Sequence, residues 1–234
     1  MCLNPLRVIV FDVDDTLYLE RDYIRSGFRA VGEMIEHVFD CAGFESECIR
    51  LFTDGVRGRI FNTALENLDL PNDSNQVTRL VNFYREHTPS IELLDDARDL
   101  LDSCVGKVEM AAISDGPLLA QKQKVGTLAL HAWTNHVVLT DQWGREYWKP
   151  HKRAFLHIEN VFQASGSECV YVGDNPLKDF EAPRSLGWQT IRIRRPGSLH
   201  EYARIAPECR VNLEVTDLWD LGRVLHLSEE IADR

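Results

Sequence analysis

The spacing of apolar residues along the chain changes period twice. Residues 7–12 (Arg7-Val-Ile-Val-Phe-Asp12) form a short β-branched and aromatic run without alternation, the pattern of a strand buried on both faces. From Glu20 to about His87 apolar residues recur three and four apart. Ile24, Phe28, Val31, Ile35, Val38 and Phe39 predict one helix; Cys48, Leu51, Phe52, Ile60 and Leu65 predict a second helical stretch over about 47–68, in which Gly55-Val-Arg-Gly-Arg59 is either a specificity loop or a break between helices; Val77, Leu80, Val81 and Tyr84 predict a third. Leu70-Pro-Asn-Asp73 has the chemistry of a loop, and no strand is predicted in this stretch. After Pro89 strands and helices alternate. Helices are predicted over 93–101, between Pro117 and Gly126, over 152–162 and over 176–186. Strands are predicted over 108–113, 136–139, 169–172, 189–193 and 210–213, followed by a terminal helix.

Strands alternating with helices predict a parallel sheet, so the fold class is α/β: a Rossmann-like, doubly wound core. The helical stretch after the first strand predicts an inserted cap domain. The expected boundaries are 1–17 and 89–234 for the core and 18–88 for the cap.

Composition narrows the setting. The chain has 234 residues, 44% apolar and 27% charged, the balance of a folded globular protein. Its formal net charge of -11 repels nucleic acid and anionic membrane, so neither is expected as a partner. The opening MCLNPLR and the run Val8–Phe11 do not read as an export signal, and no stretch approaches the roughly 18 apolar residues of a membrane span. Six scattered cysteines, with no CxxC pair or Cys/His metal spacing, fit a reducing cytoplasm. Oligomeric state is not legible.

Ligands of open parallel sheets bind beyond the carboxyl ends of the strands, so the residues after each strand carry the chemistry. The first strand ends in Asp12-Val-Asp14-Asp-Thr16 and the second in Ser114-Asp115-Gly116. The third is followed, after a loop, by Trp148-Lys149-Pro150, and the fourth by Gly173-Asp174-Asn175 with Asp179 close behind. Each residue alone has a structural explanation: Asp, Ser and Gly suit turns, and with Pro176 at a helix start either Asp174 or Asn175 could be its N-cap. Asp12 and Asp14 are harder to assign to structure, because two acids on a buried strand end repel unless a cation or a shared proton offsets them. A hard divalent ion such as Mg²⁺ suits clustered carboxylate oxygens.

The set DVDDT, Ser114, Lys149-Pro150 and GDNPLKD resembles, in order and across almost the whole chain, the four motifs of the haloacid dehalogenase-like hydrolase superfamily. The helical insert after the first motif is similar to the C1 caps of its phosphoglycolate phosphatase-like branch. The resemblance implies a Mg²⁺-dependent phosphatase acting on a small phosphorylated metabolite. In that reading Asp12 is the nucleophile and becomes phosphorylated, while Asp14 protonates the leaving oxygen and later activates water. Asp12, the carbonyl of Asp14 and Asp174 hold the metal; Ser114 and Lys149 bind the phosphoryl group, with Asp115 and Gly116 beside it. Thr16, Asn175 and Asp179 support the site. Asp115 departs from the Asn common in the family and adds negative charge near the phosphate. Arg57 and Arg59, with Arg21, Tyr23 and Arg25, are the candidate cap contacts for an anionic substrate. His87 and His151 read as helix-start or surface residues, and the cluster Arg192, Arg194, Arg195 has no role readable beyond offsetting local acidity. The alternative chemistries are a β-phosphoglucomutase-like phosphomutase, a 2-haloacid dehalogenase, whose family lacks the acid matching Asp14, and a non-catalytic phosphate-binding scaffold.

Overall fold

Four consecutive residues of strand β1 (Val8–Phe11) are buried, and in the computed structural model, which describes residues 6–205 and 210–227, this strand lies inside a six-stranded parallel sheet. Its side chains alternate: Val8 and Val10 join a core cluster with Phe155, Ile158, Tyr171 and Trp188, and Ile9 and Phe11 are buried on the opposite face. Burial on both faces explains the unbroken apolar run. The other strands are β2 (Glu109–Ser114), β3 (Val137–Leu139), β4 (Cys169–Gly173), β5 (Gln189–Ile193) and β6 (Leu213–Val215), in the spatial order β3-β2-β1-β4-β5-β6. This is the doubly wound order, whose direction of winding reverses between β1 and β4.

By its contacts the chain forms two compact units: one takes it up to Glu20 and again from Glu92 onward, the other is Arg21–Ile91. The helices of the second, the first residue of α1 apart, are α1 (Glu20–Phe39), α2 (Phe44–Thr53), α3 (Ile60–Asn67) and α4 (Ser74–Glu86). Phe28, Val31, Ile35, Phe44, Cys48, Leu51, Phe61, Ala64, Leu65 and Leu80 form their common core. The helical stretch expected over 47–68 is two helices, parted at Gly55–Arg59 where the sequence offered a break, because Gly55 and Gly58 adopt positive φ (86° and 75°) and turn the chain between them. His87 is not a surface residue: it caps α4, buried, with Nδ1 2.6 Å from the Tyr84 carbonyl and Nε2 3.1 Å from Ser26 Oγ. Tyr23, a candidate substrate contact, is buried and packs edge-on against Tyr84.

In the sheet unit the remaining helices are α5 (Asp95–Cys104), α6 (Leu118–Thr127), α7 (Arg153–Phe162), α8 (Glu181–Ser185) and α9 (Leu218–Val224). The helix expected over 176–186 shrinks to α8. Asn175 does not cap it; its Oδ1 accepts from Leu177 N at 3.0 Å and closes a turn instead. The last strand begins at Leu213 rather than Arg210. Cys2, Cys209 and the opening MCLN lie outside the described residues. Cys41, Cys48, Cys104 and Cys169 are free thiols. Among the described residues no helix is long and apolar enough to cross a membrane.

The basic cluster near the C-terminal side acquires a structural account. Arg195 is buried; its Nε donates to the Thr16 carbonyl at 2.9 Å and its NH1 pairs with Asp96 at 2.7 Å. Asp96 also accepts from Leu218 N at 2.7 Å, so one buried pair joins the loop after β1 to α5 and α9. Removing one partner leaves the other charge buried and unpaired. Asp96→Ala should therefore lower folding stability by about 3–5 kcal/mol. Chemical denaturation reads this directly, and a loss below about 1 kcal/mol would mean the pair is not needed to hold the loop.

Candidate active site

The reversal between β1 and β4 opens the sheet at their carboxyl ends, and the pairing register determines what meets there. Phe11 is level with Val172 on β4 and with Ala112 on β2. Asp12 N donates to the Val172 carbonyl at 2.8 Å, so Asp12, Ser114 and Asp174 emerge side by side, one or two residues beyond one level of the sheet. Asp12, Ser114, Asp115, Lys149, Asp174 and Asp179 are all buried.

Lys149 is the hub. Its Nζ lies 2.7 Å from Asp12 Oδ1, 2.8 Å from Asp179 Oδ1 and 2.8 Å from the Tyr171 hydroxyl. Burial alone would depress a lysine, but Asp12 and Asp179 outweigh it and raise the ammonium well above its usual range. Asp179 can approach this closely because Gly173 has no side chain: a Cβ there would sit 2.6 Å from Asp179 Oδ2. The same oxygen accepts from Asn175 N at 2.9 Å. Asn175 Nδ2 lies 2.9 Å from His200 Nε2. Arg192 donates to the Asp174 carbonyl at 3.3 Å and the His200 carbonyl at 2.8 Å, bracing this loop from below.

Asp14 faces a different set of partners. Both of its oxygens meet Lys124 Nζ, at 2.7 and 2.9 Å, and Tyr18 donates to Oδ1. Gln121 Nε2 reaches Oδ2 at 3.3 Å, while Gln121 Oε1 accepts from Ser114 Oγ at 2.9 Å. Burial pushes the Asp14 carboxyl up, but Lys124 and Tyr18 prevail and hold it below the usual range. Asp12, two residues away, moves oppositely: burial, opposed by Lys149 and assisted by Asp179, raises it to about 6. Glu20 rises to about 7 through burial and the nearby Asp14 charge. Thr16 does not bond Asp14; its hydroxyl is buried with no hydrogen-bond partner among the described residues. Its carbonyl is the group that matters, held by Arg195.

Asp115 accepts from Thr140 Oγ1 at 2.7 Å and from Lys149 N at 3.1 Å, and pairs with Lys178 Nζ at 3.3 Å. Its added charge is thereby matched by an added lysine, and against the effect of burial Lys149 and Lys178 hold the carboxyl low. Gly116, at φ 131°, sits where a Cβ would meet Gln121 Nε2 at 2.5 Å. Lys124, Gln121, Tyr18, Tyr171 and Lys178 escaped sequence reading. Only Lys178 had a signal, its place inside GDNPLKD. Arg57 and Arg59 belong to the Arg21–Ile91 unit. Arg57 stacks over Phe52 at 4.1 Å and donates to the Phe52 and Val56 carbonyls, whereas exposed Arg59 pairs with Glu66 at 3.8 Å.

One carboxylate oxygen is left over. Asp174 Oδ2 is buried without a partner among the described residues, and Asp12, Asp174 and Asp179 each place an oxygen within 4.8 Å of the others. Burial, with Asp179 and Asp12 adding, raises Asp174 well above the usual carboxylate range. A hard, oxygen-seeking dication fits this donor set. The Asp14 carboxylate is committed to Lys124 and Tyr18 rather than to this cluster.

The family model of haloacid dehalogenase-like hydrolases matches residues 6–187. A glyceraldehyde 3-phosphate phosphatase of Methanopyrus kandleri is 27% identical over 201 residues, covering 81% of this chain and 84% of that protein. A protein of the same name from Methanocaldococcus jannaschii is 26% identical over 199 residues, covering 80% and 85%. Among solved structures, a magnesium-bound hydrolase of Bacillus subtilis superposes with a TM-score of 0.68 at 18% identity, covering 95% of this chain and 99% of that one.

The raised carboxyls make cation binding visible in stability. Asp12 favours the fold while protonated; that contribution is whole below its ordinary 3.8 and is lost as pH rises through about 6. A bound dication offsets the loss, and it competes with protons for the same oxygens. Added Mg²⁺ should therefore raise the melting temperature more at about pH 7.5 than at about pH 5. A melting temperature indifferent to Mg²⁺ at both would remove the cation site.

Proposed function

The chain belongs to the haloacid dehalogenase-like hydrolase family, and we propose that it is a Mg²⁺-dependent phosphomonoester hydrolase acting on a small phosphorylated metabolite through an aspartyl-phosphate intermediate. The observation that supports this best is the pair Asp12 and Asp14, two carboxylates two residues apart in separate electrostatic settings. Displacement of a halide from carbon needs the nucleophile alone, because halide leaves without a proton. Release of an alkoxide from phosphorus needs the second carboxyl as well.

In the first half-reaction an Asp12 oxygen forms a bond to phosphorus as the phosphorus–ester oxygen bond breaks, and the proton on Asp14 passes to the departing oxygen, giving the free alcohol. In the second, Asp14 takes a proton from water as the water oxygen bonds to phosphorus and the Asp12–phosphorus linkage breaks. Inorganic phosphate leaves, and both carboxyls return to their starting states. Lys149 offsets charge on Asp12 and on the phosphoryl oxygens, and Ser114 donates to one of them. Mg²⁺, held by Asp12, Asp174 and the Asp14 carbonyl, supplies electrostatic stabilisation of the phosphoryl group when bound. Asp179 and Asn175 position Lys149 and the loop carrying Asp174. The unit Arg21–Ile91 serves as the cap, and its exposed Arg59 is the less committed of the two loop arginines and so the better candidate contact for an anionic substrate, since Arg57 is tied to its own loop. The relatives' names put phosphorylated three-carbon aldehydes first among substrates to try.

Phosphate release from an aryl phosphate and a panel of phosphorylated metabolites should require Mg²⁺, stop with EDTA and fall at least about a thousandfold in Asp12→Asn. Activity that survives Asp12→Asn in a folded protein would sink the nucleophile assignment. Arg59→Ala should raise KM several-fold with kcat little changed; unaltered kinetics across the panel would take Arg59 out of substrate binding.

A further inference from the structure

The buried face of α6 carries Ala120, Gln121, Lys124 and Val125, so half of the stripe that a core-facing helix fills with apolar side chains is polar. Lys124 is only 3% exposed. Burying an ammonium and an amide is costly unless each is partnered, and packing alone would be served better by leucine at both places. Both side chains end on the Asp14 carboxylate. Lys124 Nζ contacts Oδ1 at 2.7 Å and Oδ2 at 2.9 Å, and Gln121, one turn earlier, reaches Oδ2 at 3.3 Å. Tyr18 donates to Oδ1, so α6 and the loop after β1 both grip the carboxylate. Gln121 also accepts from Ser114 Oγ at 2.9 Å, which makes α6 the physical link between Asp14 and Ser114.

The geometry points to Lys124 as a positioning residue that fixes the carboxyl plane of Asp14 for proton transfer to the leaving oxygen, with Gln121 setting the distance between that carboxyl and the phosphoryl-binding Ser114. This rests on the phosphatase reading and adds to it a residue that lies outside the four motifs. In the step concerned, the bond from Asp12 to phosphorus forms, the ester oxygen departs, and the Asp14 proton moves onto it. An ester oxygen that leaves readily as an aryloxide needs little of that proton; an alkoxide needs nearly all of it. A loosened Asp14 therefore penalises alkyl esters and spares aryl ones, whereas general damage to the site penalises both.

The test is kcat/KM for Mg²⁺-loaded wild type and Lys124→Met on phosphate monoesters graded from p-nitrophenyl through phenyl to simple alkyl. This parameter reports the steps up to release of the alcohol. The expected result is a loss within about 3-fold at the p-nitrophenyl end and about 30- to 100-fold at the alkyl end. The selectivity should vanish when Lys124→Met is added to Asp14→Asn, because Lys124 acts through Asp14. A uniform loss along the series, no loss, faster turnover, or a selective loss that persists on Asp14→Asn each overturns the proposal. Melting curves establish that the variant is folded; if Lys124→Met is not, Lys124→Gln, a neutral donor of similar length, carries the same comparison. Failure of the phosphatase reading looks different: wild type would hydrolyse none of the esters, or Asp12→Asn would hydrolyse them as well as wild type.

Discussion

Like charges held close together at the end of a buried sheet organise the catalytic unit. Asp12, Asp14, Asp115, Asp174 and Asp179 converge where β1, β2 and β4 end, in a protein that already carries a net charge of -11. Three lysines answer them: Lys149 between Asp12 and Asp179, Lys124 on Asp14, Lys178 on Asp115. Asp174 is the acid with an oxygen left unanswered, and its carboxyl is raised accordingly. A site arranged this way suits the proposed dication and phosphate dianion together, each offsetting the other, which neither a purely acidic nor a purely basic cleft would do.

The surrounding structure keeps that arrangement rigid with buried arginines. Arg195 fixes the loop after β1 through the Thr16 carbonyl, and Arg192 fixes the loop after β4 through the Asp174 carbonyl. Both reach a main-chain carbonyl rather than an acidic side chain of the site, so they hold the backbone without competing for the carboxylates. Arginine suits this task because its fork supplies several donors from one buried position.

The parallel sheet and the placing of the motifs after its strands were legible because the chemistry sits directly after strands whose apolar runs are unmistakable; Val8–Phe11 and Cys169–Gly173 announce themselves and their acids together. Lys124 and Gln121 were not legible, since their partner Asp14 is over 100 residues away and a polar residue on a helix reads as solvent-facing until the fold places it. The same blindness applied to His87 and Arg195, whose polar side chains end in buried contacts formed by distant segments. Apolar spacing ran through Asp54–Arg59, and only the two glycines there hinted at the break that their positive φ makes. Local backbone preference misled at Pro176, which promised a helix start where an Asn175 turn forms instead.

The opposed shifts of Asp12 and Asp14 bear on how the proposed chemistry would be timed. By their protein surroundings alone Asp12 is the harder of the two carboxyls to ionise and Asp14 the readier, the reverse of what a nucleophile and a proton donor require. Loading would reverse the order from both ends. A dication held as proposed by Asp12, Asp174 and the Asp14 carbonyl would favour the ionised nucleophile, whereas the approach of a phosphate dianion would favour a proton on Asp14. Departure of the alcohol leaves Asp14 ionised beside Lys124, the state suited to drawing a proton from water. In the proposed cycle the clamp on Asp14 would serve the base half by charge and the acid half by position, and neither role would require the carboxylate to move far.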